Sequence, residues 1–473
     1  MDTIEPITAE RAAALHRVQE LSREFLEGLA ERPVGARGRF EDVVAQLGGP
    51  LPEHGAGPLA SVEQLAAAVG PGLVASTGPR YFGFVIGGSL PAALAADWLT
   101  ATWDQNAGMV ATSPAAAAAE AVVVEWLKEL AGLPREAELG LVTGCQMANF
   151  TGLLAARRSV LLRAGWDVEE NGLQGAPSVN VVIGDEAHAT IHSALRMLGL
   201  GSGRALRVAA DAQGRMQPEA LRATLERLEG PSIVCAQAGN VNTGAFDPLE
   251  AIADITRSRG AWLHVDGAFG LWAAAAPARR HLTRGMERAD SWASDAHKWL
   301  NVPYDSGIVA VREPGLLGQT LRKSAAYLVR SNGGRDNHDF SPESSRRARG
   351  FALWAGLRSL GREGVAELVE RCCRLASRLA DRLRAGGALV LNEVVLNQVL
   401  VRFVPRAGGD ADALTRAVTA RVQRDGVCWA SGTRWQEMEA LRLSVSNWST
   451  TEADVDRSAE AILAALRTEE ASA

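Results

Sequence analysis

The spacing of apolar residues predicts helices at the start of the chain. In AERAAALHRVQELSREFLEGL the apolar residues recur every three or four positions, and SVEQLAAAV repeats this period after a link rich in Gly and Pro. The alanine-rich stretch PAAAAAEAVVVEWLKELAGLP predicts a further helix, which Gly132 and Pro134 end. We expect residues 1–78 to form an N-terminal helical arm.

The pattern changes between residues 139 and 313, where short buried runs alternate with helical stretches. The runs predicted as strands are VNVVIG, ALRVAAD, SIVCAQA, AWLHVD and GIVAVRE. Such alternation predicts an α/β layer with a mostly parallel sheet, whose ligands bind at the carboxyl ends of the strands. We therefore expect a large domain over residues 79–345 and a small α+β C-terminal domain over residues 346–473. Residues 324–345 have no clear period and are predicted to form a long mobile loop.

Composition and charge exclude several classes of protein. The 473 residues are 47% hydrophobic and 22% charged, which is typical of a globular chain. No apolar run is long enough to cross a membrane, and the first residues lack the apolar core of a signal peptide, so we expect a cytoplasmic protein. The net charge of −6 argues against a nucleic-acid partner. Five cysteines without C-x-x-C spacing indicate reduced thiols and no structural zinc.

The use of lysine singles out one position. Only three of the 49 Lys and Arg residues are lysines, namely Lys128, Lys298 and Lys323. Arginine replaces lysine as a surface charge but not as an amine nucleophile, because its guanidinium group stays protonated. Lys298 lies in SDAHKWLNVPYD among apolar and aromatic residues, an unusual place for a solvated charge. The other two lysines are interpreted as surface charges.

Three further features lie where predicted strands end. TGCQMANFTGLLAARR is a turn that leads into a helix, so its backbone N–H groups suit a phosphate. Asp266 ends an otherwise apolar strand and needs a partner, because a buried unpaired charge is costly. His188 follows another strand; His192 stands four residues later, but no third ligand has matching spacing, so we reject a metal site. Each feature has an alternative interpretation. In these interpretations the turn is a plain strand–helix connection, Asp266 is a helix cap or part of a structural ion pair, and His188 is a structural histidine.

Together, a phosphate turn, a strand-end carboxylate and a semi-buried lysine suit pyridoxal 5'-phosphate (PLP). The carboxylate would pair with the pyridine nitrogen, and the lysine would form the Schiff base. A nicotinamide site would need G-x-G-x-x-G opening a helix after the first strand, and this motif is not found in that setting. A Walker A loop is also absent from the sequence.

In these motifs the chain resembles the group II PLP-dependent amino acid decarboxylases, which share the fold of aspartate aminotransferase (fold type I). The resemblance runs over most of the chain and includes GPRYFGFVIGGSLPAALAAD, VTGCQMANFTGLLAAR, DEAHATIHSALRMLG, NVNTGAFDPL, WLHVDGAFG and SDAHKWLNVPYDSG. It implies an α/β fold with a large cofactor domain and a small C-terminal α+β domain. It also implies a homodimer with interfacial active sites, in which the N-terminal arm wraps around the partner.

The resemblance implies a role for each matching residue. Lys298 forms the Schiff base, Asp266 binds the pyridine nitrogen, and His188 stacks on the ring and helps to activate the substrate. Cys145 and Gln146 stand where family members often have small or hydroxylated residues, which points to a phosphate cup made mainly of backbone N–H groups. The other implied cofactor-binding residues are Gly144, Thr243, Ala268 and His297.

The implied reaction is decarboxylation of an L-amino acid through a quinonoid. The apolar segment FGFVIGG at residues 82–88, which reads the side chain in the family, favours a neutral or aromatic substrate. The full set of Lys298, Asp266 and His188 argues against a homologue that binds the cofactor without catalysis. Arg442 in LRLSVSNW is a candidate to reach the substrate carboxylate, as a C-terminal arginine does in related aminotransferases, but the sequence does not fix its register in the site and we favour a structural role.

The family's loop tyrosine, thought to protonate the quinonoid, is not found at its expected place. That position falls near Asn337, and the three tyrosines of the chain are Tyr81, Tyr304 and Tyr327. We expect His338 to act as the replacement acid, since an imidazole is a competent acid near neutral pH. The alternative is that oxygen intercepts the quinonoid, giving oxidative deamination to an aldehyde, or that transamination occurs.

Overall fold

The N-terminal part is helical, as its apolar period predicts. The computed structural model describes residues 4–323 and 334–472. Proline occupies the first turn of the third, fourth and fifth helices, where its missing N–H costs nothing. The side chain of Ser113 accepts a hydrogen bond from the amide of Ala116, and Gly132 ends the same helix with φ 64°. The five helices are α1 (Ile4–Glu27), α2 (Phe40–Leu47), α3 (Pro58–Val69), α4 (Pro91–Trp103) and α5 (Pro114–Ala131).

A seven-stranded sheet forms the centre of the large domain. Its order is β1-β7-β6-β5-β4-β2-β3, and β7 runs antiparallel to both of its neighbours while the remaining pairs are parallel. The mostly parallel sheet is therefore confirmed. The strands are β1 (Glu138–Val142), β2 (Asn180–Gly184), β3 (Leu206–Val208), β4 (Ser232–Gln237), β5 (Trp262–Asp266), β6 (Ser291–Asp295) and β7 (Gly307–Val311).

Helices cover both faces of this sheet, so its strands are buried on both sides. Side chains alternate between the two faces: Leu141 and Val182 pack into one apolar core, whereas Val142 and Ile183 pack into the other. The helices of the large domain are α6 (Cys145–Arg163), α7 (Val168–Asn171), α8 (Ala189–Met197), α9 (Pro218–Glu226), α10 (Leu249–Ser258) and α11 (Leu316–Leu321). Short 3-10 helices lie at Gly70–Gly72, Ser202–Arg204, Gly270–Ala275, Arg280–Thr283, Met286–Arg288 and Asn337–Asp339.

The C-terminal part is a small α+β unit, as expected. Its antiparallel sheet has the order β10-β11-β9-β8. The long helix that leads into it is broken at Gly361, whose φ of 63° is unfavourable for other residues. The elements are α12 (Arg349–Ala385), β8 (Leu389–Val390), β9 (Gln398–Arg402), α13 (Ala411–Asp425), β10 (Ser431–Trp435), β11 (Met438–Ser444) and α14 (Glu452–Ser472).

The segment predicted as a mobile loop, residues 324–345, is described from residue 334 onward. This second part packs against the chain: the amide of His338 donates to the carbonyl of Gly108 at 2.9 Å, and Asn337 is fully buried. Tyr327 lies outside the described residues. Among the described helices, none is both long and apolar enough to span a bilayer.

Candidate active site

Two buried aspartates mark one edge of the large sheet. Asp266 is the last residue of β5 and Asp295 the last residue of β6, and these strands are parallel neighbours. Their carboxyl ends therefore meet, which is where ligands of such sheets bind. The residues are only 4% and 2% exposed, respectively. The backbone of Ala268 joins them, because its N–H donates to Asp266 at 3.2 Å and its carbonyl accepts the Asp295 amide at 2.9 Å.

Lys298 pairs with Asp295, a residue that the sequence analysis missed. The amine Nζ lies 2.9 Å from Asp295 Oδ2, and 19% of the lysine side chain is exposed. Burial alone lowers the pKa of Lys298, but the negative charges of Asp295 and Asp266 outweigh burial, so the pKa is raised overall. The amine is therefore held as an ammonium ion beside a carboxylate. Asp295 ends a buried strand just as Asp266 does, but the sequence of that strand, SWASD, is too polar to indicate it.

Asp266, in contrast, is held by neutral donors. Its Oδ2 accepts a hydrogen bond from Asn149 Nδ2 at 3.0 Å, and its Oδ1 accepts one from the thiol of Cys145 at 3.4 Å. Burial raises the pKa of Cys145 well above its usual value, so this thiol keeps its proton and donates. A carboxylate held in this way retains its negative charge for a further partner.

The predicted phosphate turn begins helix α6. Gly144 precedes the helix, and the amides of Gln146 and Met147 have no acceptor among the described residues. Free amides at a helix start form an anion site. The amide of Cys145, however, already donates to Asp295 Oδ1 at 2.6 Å, so it is not free for a phosphate. His297 lies beside this turn, with Nε2 3.3 Å from Asp295 Oδ1.

His188 stands at the start of α8 and is half-buried. Its Nδ1 accepts from the Thr190 amide at 3.3 Å and lies 2.9 Å from the Thr190 hydroxyl. Burial is the main cause that lowers the pKa of His188, so the ring is neutral with its proton on Nε2. Within residues 4–323 and 334–472, no three His, Cys, Asp or Glu side chains converge as metal ligands.

Two residues expected in the site have their polar contacts elsewhere. The hydroxyl of Thr243 donates to the carbonyl of Gln213 at 2.7 Å. His338 is buried, with Nε2 3.5 Å from Asp339 Oδ1. Within the described part of the chain, neither side chain makes a hydrogen bond or ion pair with Lys298 or Asp266. The roles expected for both residues stay predictions.

Arg442 is a buried cation without a carboxylate partner among the described residues. It is 8% exposed, its Nε has no hydrogen-bond partner, and its Nη2 lies 3.5 Å from the Ser431 hydroxyl. Burial lowers the pKa of Arg442, and its positive charge contributes to lowering the pKa of His188. A structural ion pair would have needed a carboxylate beside it, so the structure offers no such pair for this guanidinium.

The segment expected to read the substrate side chain lies against the lysine. A Cβ on Gly87 would stand 1.8 Å from the Lys298 carbonyl oxygen, so only glycine fits there. Phe84 is 55% exposed, and its ring centroid lies 5.4 Å from that of Trp429. Trp429 in turn stacks on Tyr81 at 5.0 Å. Aromatic surface is thus present next to the segment that packs on Lys298.

Comparison with known proteins adds to this geometry. The family model for the pyridoxal-dependent decarboxylase conserved domain matches residues 49–404. An aromatic-L-amino-acid decarboxylase of Bacillus atrophaeus is 27% identical, over 94% of this chain and 93% of the relative. A 4-hydroxyphenylacetaldehyde synthase of Rhodiola rosea is 26% identical, over 93% of this chain and 91% of the relative. The crystal structure of Oryza sativa TDC with PLP and tryptamine has a TM-score of 0.90 at 24% identity, covering 97% of this chain and 98% of that one. Other relatives have names that cite acidic amino acids or 2,4-diaminobutyrate.

Proposed function

The chain belongs to the pyridoxal-dependent decarboxylase family, and from this premise we propose that it decarboxylates an L-amino acid with a neutral or aromatic side chain. Family membership makes the protein a PLP-dependent carboxy-lyase of fold type I, which confirms the predicted fold, cofactor and class of enzyme. The substrate's side chain and the final product are our proposal. The observation that carries it is the Lys298 amine beside Asp295, at the sheet edge that Asp295 shares with Asp266, while the Lys298 backbone packs against Gly87 of the apolar segment at residues 82–88.

The donor set fits PLP. Lys298 offers a primary amine, Asp266 an anionic acceptor for the ring nitrogen, and the start of α6 two free amides for the phosphate. When bound, the cofactor supplies an electron sink for the electron pair left by a departing carboxylate. The protein has to bind the phosphate, hold a negative charge against the ring nitrogen, and move a proton to and from the lysine amine.

Asp295 is the carboxylate that holds the proton of the Lys298 ammonium group. The Lys298 amine must be neutral to attack a carbonyl carbon, so its ammonium form first has to lose a proton. Asp295 Oδ2 is 2.9 Å away and stabilises the ammonium whenever the lysine is not attached to the cofactor. Because the Asp295 Oδ1 atom is fixed by the Cys145 amide and by His297, the carboxylate stays in place as the amine moves.

Arg442 is our candidate for the group that holds the substrate carboxylate. The sequence favoured a structural role, but its buried guanidinium has an unpartnered Nε and no carboxylate beside it among the described residues. A buried cation of this kind costs free energy unless an anion joins it. A bidentate contact would also orient the carboxylate, and orientation decides which bond breaks.

The side chain of the substrate is proposed from the residues near Lys298. The segment at residues 82–88 is apolar, and the ring of its Phe84 lies 5.4 Å from the ring of Trp429, so aromatic faces are present there. Such faces suit an aromatic side chain better than a carboxylate. Two of the similar proteins have names that cite aromatic amino acids or an aromatic aldehyde, whereas others cite acidic ones.

An aldehyde product is the second candidate function. The position that corresponds to the family's loop tyrosine falls near Asn337, whose amide donates to the carbonyl of Ala107 at 3.3 Å and which cannot act as an acid. If the proton is delivered slowly, the decarboxylated substrate has time to react with oxygen. Similarity to a 4-hydroxyphenylacetaldehyde synthase supports this candidate. Transamination is a further outcome of slow or misplaced protonation.

We also propose a homodimer with sites at its interface. The N-terminal helices carry exposed apolar side chains, among them Leu15, Leu26, Leu65, Trp98 and Trp103. Leu26, Leu65 and Trp98 line one cleft, and exposed apolar surface of this kind is typical of a surface covered by another subunit. Sedimentation of the purified protein at several concentrations tests this, and a monomer at every concentration would contradict it.

One assay distinguishes the proposed functions. The purified holoenzyme is incubated separately with L-tryptophan, L-tyrosine, L-phenylalanine, L-glutamate and L-2,4-diaminobutyrate, and carbon dioxide, amine, ammonia and hydrogen peroxide are measured. We expect carbon dioxide from an aromatic substrate. Ammonia and peroxide in equal amounts with the aldehyde would favour the second candidate. Turnover confined to L-glutamate or L-2,4-diaminobutyrate would contradict the proposed substrate class.

A further inference from the structure

A line of hydrogen-bonded side chains runs behind Asp266 through the interior of the large domain. Trp262 Nε1 donates to the Ser291 hydroxyl at 2.9 Å, and this hydroxyl lies 2.8 Å from His264 Nδ1. His264 Nε2 lies 2.9 Å from Asn149 Oδ1, and Asn149 Nδ2 donates to Asp266 at 3.0 Å. The side chains of Ser291, His264 and Asn149 are fully buried.

The two ends of this line determine the direction of every hydrogen bond in it. An indole N–H can only donate, so the Ser291 oxygen accepts from Trp262 and keeps its own hydrogen available for His264 Nδ1. At the other end a carboxylate only accepts, so the NH₂ group of Asn149 faces Asp266 and its carbonyl oxygen faces His264. Both ends require the same neutral tautomer of His264, with its proton on Nε2. Burial lowers the pKa of His264 to about 4, so this ring stays neutral at physiological pH.

Asn149 is the branching point of the line. Its Nδ2 carries two hydrogens; one reaches Asp266 Oδ2 and the other lies 3.2 Å from the Thr190 hydroxyl. The Thr190 oxygen accepts from Asn149, so its hydrogen is free for His188 Nδ1 at 2.9 Å. One buried amide therefore contacts the residue expected at the ring nitrogen and, through the Thr190 hydroxyl, adds a second donor to His188 Nδ1, beside the Thr190 backbone amide.

We propose that Asn149 is a positioning residue, fixed by Ser291 and His264, that aims Asp266 at the cofactor's ring nitrogen and, through the Thr190 hydroxyl, helps to hold the His188 ring in place. The inference rests on the cofactor that family membership establishes and not on the choice of substrate. A neutral amide donor positions the carboxylate without giving it a proton or a positive charge, so the full negative charge remains for the ring nitrogen. Substitution of Ser291 would release the His264 tautomer, and with it the orientation of the Asn149 amide.

The test compares two ligands that differ only at the ring nitrogen. The full-length protein is freed of cofactor and titrated with PLP and with its deaza analogue, in which C–H replaces that nitrogen. For Asn149→Ala we expect the dissociation constant for PLP to rise by about tenfold or more and that for the analogue to change by less than about twofold. Ser291→Ala should give a smaller shift of the same sign, and it serves as the test if the Asn149 variant does not fold.

Two further variants separate the effect from general damage. Thr151→Val removes another fully buried hydroxyl of α6, whose hydrogen bond within the described residues goes to the Met147 carbonyl, and should leave both dissociation constants unchanged. Thr190→Val removes the branch to His188, so it should keep the preference for PLP over the analogue and lower turnover. Equal weakening of both ligands by Asn149→Ala, or no weakening of PLP, would overturn the proposal. Unchanged turnover in Thr190→Val would overturn the His188 branch.

Discussion

Asp266 and Asp295 end neighbouring strands of one sheet and are equally buried, but their partners differ in charge. Asp295 contacts the ammonium group of Lys298 and the ring of His297, whereas Asp266 contacts an amide, a thiol and a backbone N–H. The two aspartates thus have equivalent positions in the fold, and the surrounding side chains decide what each carboxylate binds. A carboxylate with a cation of its own is neutralised within the protein, while one held by neutral donors keeps its charge for a ligand.

The largest effect is expected from Lys298→Arg, which leaves a cation for Asp295 but removes the amine. Turnover should fall by about four orders of magnitude or more, because a guanidinium does not form the covalent link to the cofactor. Borohydride reduction of the wild-type holoenzyme should fix the cofactor on Lys298, as peptide mapping can verify. A label found on Lys128 or Lys323 would overturn the assignment.

Asp266→Asn should have the second largest effect. The substitution keeps the shape and removes the negative charge that faces the ring nitrogen, so we expect about a hundredfold lower turnover together with weaker binding of PLP. Steady-state kinetics and a cofactor titration measure the two quantities on the same preparation. Turnover close to that of the wild type would contradict the role of Asp266 at the ring nitrogen, and with it the difference in role between the two aspartates.

Arg442→Gln tests whether the unpartnered cation serves the substrate. The proposed contact with the substrate carboxylate predicts a rise of about tenfold or more in KM, with a smaller change in kcat. Arg442→Lys should recover part of the loss, because it restores the charge but not the bidentate geometry. If Gln and Lys variants lose thermal stability but keep the wild-type KM, the residue is structural, as the sequence first suggested.

His338→Asn should have the smallest effect on rate and act on the product. If His338 supplies the proton, the share of aldehyde, ammonia and peroxide rises in the variant while release of carbon dioxide continues. Product analysis by mass spectrometry and a peroxide assay gives this ratio. Clean amine from both proteins would contradict the role, and Tyr327 or a residue of a second subunit would become the candidate.

The sequence allowed the site to be predicted wherever a polar residue ends a clearly apolar strand. Asp266 follows WLHV and was found in this way. The same rule would have found Asp295, but its strand, SWASD, contains two serines and an aspartate and was not identified as a strand. Its polar residues are buried because helices cover both faces of the sheet, which is information that a short sequence window lacks.

Other parts of the site depend on contacts between distant segments. Asn149 lies inside a helix and is separated by 117 and 115 residues from Asp266 and His264, so no local pattern indicates its role. The hydrogen bond from the Cys145 amide to Asp295 also depends on tertiary contact, because the two residues are 150 positions apart in the sequence. The resemblance to a family implied Cys145 for the phosphate cup, but it included neither Asn149 nor the contact between the Cys145 amide and Asp295.

The pH dependence of cofactor attachment tests the contrast between the aspartates most directly. Attachment needs the neutral amine of Lys298, whose pKa Asp295 raises, so its rate should increase with pH in the wild type. In Asp295→Asn burial dominates and the pKa of Lys298 falls, so the midpoint should move toward lower pH. In Asp266→Asn we expect a smaller shift in the same direction, because Asp266 raises this pKa less than Asp295 does, together with weaker final binding. A midpoint that shifts as far in Asp266→Asn as in Asp295→Asn, or in neither variant, would contradict the division of roles.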